Sequence, residues 1–137
     1  MRIRRFLLTC LVLFAVALAW NALVHLVFLR AVNAEVQHLF RTDLARKIWL
    51  SLAGTAMLII LFVWGYSRFA RNATVREGAL WGLFFALVAG VLADLNQHVL
   101  YPIPAWVAGV WWAGGLVEFT LYGVITSRVY PAPVRKQ

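Results

Sequence analysis

Asn21, His25, Asp94, His98 and Glu118 fall inside otherwise apolar stretches of the chain. Ionisable groups at such positions are costly in hydrocarbon, so they require partners or a polar interior. Asp94 and His98 stand four residues apart, one helical turn, and can bond directly. Gln97 lies on the adjoining shoulder, whereas Asn96 points roughly opposite. Asn21 and His25 repeat the same spacing. Glu118 falls deepest in its run, about two turns below the level of His25, where it must be neutral or meet a donor or a cation. Trp111, Gly115 and Tyr122 share its helical face. Asn21, His25, Asp94, Gln97, His98, Trp111, Glu118 and Tyr122 therefore predict a polar pocket, floored by Glu118 and walled by Trp111 and Tyr122.

Four kinds of chemistry compete for these residues. The plainest is an internal hydrogen-bond network that fixes helix register. A second is binding or transport of a small metabolite, a lipid headgroup or a proton, with Asp94 and Glu118 as the titrating groups. A third makes the chain an accessory or structural subunit of a larger membrane complex, with Asn96 and an aromatic-rich last helix as contact surfaces. The fourth is bis-histidine haem held by His25 and His98; a zinc site would want tighter ligand spacing. An enzyme is not expected. Cys10, the single cysteine, lies far from either histidine, and neither a Gly-rich phosphate loop nor an HExxH motif is present.

The elements that carry these residues are four apolar runs, near 6–29, 47–69, 79–100 and 105–127. About 20 residues cross a bilayer as helix, so each run is long enough. Across 137 residues the chain is 64% hydrophobic and only 13% charged, against about 45–50% and about 25% in soluble domains. The prediction is an all-α, four-helix transmembrane bundle forming a single domain. The charge of +8 follows membrane topology rather than nucleic acid: Lys and Arg mark the cytoplasmic side. Arg2, Arg4, Arg5, Arg68, Arg71, Arg76, Arg128, Arg135 and Lys136 fall on one side, and Arg30, Arg41, Arg46 and Lys47 on the other. Both termini are thus expected inside, with the pocket opening outward. The Arg-rich start and Ala17-Leu18-Ala19 also fit a signal-peptide pattern, but the run continues through Val27-Phe28-Leu29, which favours an uncleaved anchor. Leu7-Leu8-Thr9-Cys10 is a weak match to a lipidation site.

Within span one, Cys10, Phe14, Ala17, Asn21, His25 and Phe28 share a face, as do Ser51, Thr55, Leu58, Phe62 and Gly65 in span two. The hydroxyls of Ser51 and Thr55 can simply bond their own helix carbonyls. Between these spans, Val32, Val36, Leu39, Phe40 and Leu44 form a stripe that predicts an amphipathic helix along the outer membrane boundary, or a lid. Thr74 and Glu77 have capping-box spacing at the start of span three. There Gly78, Gly82, Ala86 and Gly90 recur every fourth residue, a face suited to close helix contact, including contact with a second copy or another membrane protein. Tyr101-Pro102-Ile103-Pro104 ends the span, since proline blocks helix continuation. Spans two and four keep Gly54/Gly114 and Ser67-Arg68/Ser127-Arg128 at the same spacing, a faint repeat of two hairpins.

Asn21-x3-His25, Asp94-x2-Gln97, the Tyr101-Pro-Ile-Pro turn and Gly114-Gly115-x2-Glu118 resemble a group of small four-span bacterial integral membrane proteins, a domain of unknown function. The resemblance implies a four-helix fold in the bacterial inner membrane, and no activity. The tryptophan content is similar to that of the tryptophan-rich sensory proteins, but those have five spans and a porphyrin-site pattern not matched here.

Overall fold

The computed structural model describes residues 3–39, 42–72 and 74–130. The order is α1 (Ile3–Leu23), a π-helical turn (Val24–Phe28), α2 (Arg30–Val36), a 3₁₀ turn (Gln37–Leu39), α3 (Leu44–Phe69), α4 (Val75–Ala89), a second π-helical turn (Gly90–Leu95), α5 (Asn96–Leu100) and α6 (Ala105–Val129). No strand occurs among the described residues. Ile3–Phe28, Lys47–Phe69, Val75–Leu100 and Ala105–Val129 are long and apolar enough to cross a membrane, the hallmark of a multi-pass integral membrane protein. These limits agree with the sequence expectation to within about a turn. Phe40, Arg2, Arg41, Arg135 and Lys136 lie outside the described residues, as do the side chains of Leu44 and Arg46.

The tightest helix pair is α4 with α6, and its closeness follows from the glycines. A Cβ on Gly78 would strike the Gly123 carbonyl, one on Gly82 the Phe119 carbonyl, and one on Gly90 the Trp112 indole. The partners descend from 123 to 112 as the glycines ascend, so the helices run antiparallel. Hydrocarbon gives no hydrophobic drive for helices to associate, so close van der Waals contact between small residues does that work. Gly78, Gly82 and Gly90 of the four-residue row therefore pack against span four of the same chain.

A second set of contacts gathers at the end that carries the termini. Phe62 is fully buried, with its ring 5.1 Å from Phe85 and 6.2 Å from Trp81, Phe119 and Tyr122. Trp81 Nε1 donates to the Phe62 carbonyl at 3.2 Å, and Gly65 leaves the space its ring occupies. Span one adds Phe6, Leu13 and Ala17 to this core. Its buried face is Phe6, Thr9, Leu13 and Ala17, with Cys10 and Phe14 half-buried at the edge. Phe28, expected on the same face, is 70% exposed. The π turn of residues 24–28 explains the departure, because i→i+5 bonding carries an extra residue per turn and rotates the face.

At the opposite end, α2 does not run free along a boundary. Val36 is buried against Ile103 and Val107, with Val32, Leu39 and Trp111 packed around them. The described part of the expected stripe, Val32, Val36 and Leu39, packs against Ile103 in the proline turn and Val107 at the start of α6. At the other connection, Thr74 caps α4 by accepting from Glu77 N at 3.2 Å. The Glu77 carboxylate reaches back past the cap to the amides of Arg71 and Asn72, at 2.5 and 2.8 Å.

Candidate functional site

Between these two apolar clusters lies a cavity of about 650 Å³. Phe119, which stacks toward Phe62, marks its lower limit, and Trp111, packed on the Val36 cluster, its upper one. All four spans contribute to its wall: Asn21 and His25 from the first, Ser51 and Leu58 from the second, Asp94 and Gln97 from the third, Trp111 and Glu118 from the fourth. Of the eight residues expected at a pocket, six line this one. Tyr122 and His98 do not.

Glu118 meets donors, as its depth demands. Asn21 Nδ2 donates to Glu118 Oε1 at 3.1 Å, and the Tyr122 hydroxyl donates to the same oxygen. Tyr122 is itself buried, so it supports the floor from beneath and is no part of the wall. Asn21 Nδ2 also donates to the Ala17 carbonyl at 2.9 Å, which uses both amide hydrogens and fixes the side chain. Both donors converge on Oε1. Oε2 has no hydrogen-bond partner among the described residues.

Asp94 behaves differently. It has no hydrogen bond or ion pair among the described residues, and its Oδ2 lies where a Cβ on Gly115 would be 3.9 Å away. The expected Asp94–His98 pair does not form. His98 Nδ1 instead donates to the Ile103 carbonyl at 2.6 Å, because the proline turn folds that carbonyl back within reach. The two histidines named for haem are thereby separated in role: His25 borders the cavity and His98 ties down the turn. Thr55 Oγ1 donates to the Ser51 carbonyl at 3.0 Å, the local bond expected of it. Asn96 is exposed.

Besides the aromatic lining of Trp20 and Phe119, one polar residue at the site escaped the sequence reading. Trp111 Nε1 donates to Asn33 Oδ1 at 3.3 Å, and Asn33 Nδ2 bonds His25 Nδ1 at 3.1 Å and the His25 carbonyl at 3.3 Å. An indole N–H only donates, so the Asn33 atom facing it must be oxygen. Nitrogen then faces His25, whose Nδ1 must accept, which puts the imidazole proton on Nε2. A polar residue on the shoulder of the α2 stripe gave the only hint of this, and polar shoulders are ordinary on surface helices.

His25 and Asp94 both sit in π-helical turns. Such turns widen a helix by one residue, re-aim its side chains and release a carbonyl, and they recur at functional sites. The His25 carbonyl, within the first of these turns, is the one that Asn33 takes. Gly114 and Gly115 keep the facing wall of α6 low: a Cβ on Gly114 would meet nothing within 4 Å.

No family model, no curated protein and no solved structure matches this chain. The class rests on the fold: a helical chain with four candidate membrane spans and a polar cavity among them.

Proposed function

We propose that this chain is a multi-pass protein of the bacterial inner membrane that binds or transports a small ligand through the cavity among its four spans. Both termini lie inside by the charge distribution, so the cavity opens toward the outer face. One observation carries the reading. Two carboxyl groups, an imidazole and two amides border about 650 Å³ at membrane depth, within the range of small-molecule sites, about 300–1,000 Å³. A network that only fixed register would satisfy its members against one another, whereas Asp94 is left facing open space. The resemblance to small four-span bacterial membrane proteins agrees with this location.

Native mass spectrometry tests it on protein extracted gently from its own membranes. The expected result is the 15.5 kDa chain plus a few hundred daltons, with the adduct lost in Asp94→Asn. The bare chain alone, from membranes in which the protein is active and abundant, overturns the reading. Asn96 favours a second role as subunit of a larger complex, since a polar side chain lies exposed among exposed Leu92, Val99 and Leu100. A mass greater by tens of thousands of daltons, abolished in Asn96→Leu, would establish that alternative.

A further inference from the structure

The cavity wall carries a consistent charge sign, and the ligand must answer it. Asp94 and Glu118 border the space, and among the described residues no lysine or arginine does. Among the described residues span two brings Ser51 and Leu58. His25 offers no positive charge in the arrangement that Asn33 and Trp111 enforce, because its Nδ1 is an acceptor. An anion would therefore meet two carboxyl groups and no counter-charge among the described residues. Carboxylates inside a membrane need a proton or a cation as partner. Donors already occupy Glu118 Oε1, but Oε2 and the whole of Asp94 remain unengaged among the described residues.

The described wall offers no cage of side-chain ligands for a bare metal ion. No group of three or more metal-ligating side chains occurs among the described residues, whereas cation sites of protein oxygens assemble about six ligands. The wall is instead aromatic and apolar between its few polar groups: Trp20, Trp111, Phe119, Leu58 and the small glycines and alanines of α4, the second π turn and α6. Aromatic faces attract organic cations through their quadrupole. Building on the small-ligand reading above, we propose that the cavity takes an organic ammonium with an apolar body, its charge met by Asp94 and Glu118 and its body by Trp111 and Phe119. The ammonium belongs either to a soluble amine or to a lipid headgroup.

The probe is benzyltrimethylammonium, titrated by calorimetry into protein in phosphatidylglycerol nanodiscs, whose headgroup carries no ammonium. Neutral N,N-dimethylbenzamide and anionic phenylacetate serve as size-matched comparisons. Saturable binding of the cation alone is expected, weakened about tenfold or more in Asp94→Asn and in Glu118→Gln, since each removes a charge at short range in a poorly screened site. Glu35→Gln, on the exposed side of α2, should bind as wild type does. Repeating the titration in phosphatidylcholine nanodiscs separates the sources: a headgroup ligand competes and weakens the probe, and a soluble one leaves it unchanged. Preferential binding of phenylacetate or the amide, lost in Trp111→Ala, overturns the cation assignment while leaving a small-ligand site standing. Cation binding unaffected by both carboxyl substitutions overturns it too. Absence of binding by all three probes, together with a bare chain in native mass spectrometry, removes both proposals.

Discussion

Gly82→Ala isolates what holds the bundle together. A Cβ at this position would strike the Phe119 carbonyl oxygen and lie 2.7 Å from its carbon and 2.9 Å from Thr120 Cα. Carbon atoms in contact prefer about 3.5–4.0 Å, so α4 and α6 must part locally by about 1 Å. A gap of about 0.5–1 Å forfeits about a quarter to a half of each dispersion well. If the patch makes about 40–60 atom contacts at about 0.1–0.2 kcal/mol, like one buried leucine, the loss is about 1–6 kcal/mol. Alanine's better helix propensity returns about 1 kcal/mol. No hydrophobic transfer contributes, because displaced groups move into lipid. The expected net cost is about 2–3 kcal/mol. Gly54→Ala is the control: nothing lies within 4 Å of its Cβ position, so only the propensity gain should appear. Reversible unfolding in mixed micelles, followed by circular dichroism, reads both. If Gly82→Ala unfolds with Gly54→Ala, the close approach of α4 and α6 is not what stabilises the fold.

Tyr122→Phe keeps the edge-to-face ring contact with Phe119 but removes a donor from Glu118; together with Asn21→Ala it should lower stability by about 1–2 kcal/mol per substitution, and less than additively in the double variant, as thermal melts would show. Asn33→Ala should cost only about 0.6–1.5 kcal/mol, yet speed amide exchange across residues 30–39 several-fold; unchanged exchange there would mean the His25–Asn33–Trp111 bridge does not hold α2. Thr74→Ala removes the cap of α4 and should cost about 1 kcal/mol, with faster exchange confined to the first turn after Val75.

The spans were readable because membrane helices announce themselves by length and apolarity, and the glycine row because four-residue spacing survives in any α-helix. Asn21, Asp94, Gln97 and Glu118 were readable for a related reason, as polar groups rare enough in such runs to be conspicuous. Phe28 and the Asp94–His98 pair were misjudged through one assumption, that helix pitch is uniform. Both residue sets straddle or adjoin π turns, and nothing in a 3.6-residue template signals an extra residue. Asn33 was missed because its role depends on α2 docking over Ile103 and Val107, a long-range contact. The glycine row was identified correctly as a contact surface, but periodicity alone does not name the neighbour, which is α6 of the same chain.

The two π turns also have a genealogical consequence. A π turn holds one residue more than the α-helix around it, so single-residue deletion within 24–28 or 90–95 would rewind the helix while leaving its ends in place. Related chains should therefore differ in length by one residue at these points more readily than elsewhere in the spans. A chain that has lost both extra residues would retain the aromatic core and the α4–α6 seam, yet present different side chains to the space between the helices. The bundle and what it contains are, in that sense, separately heritable.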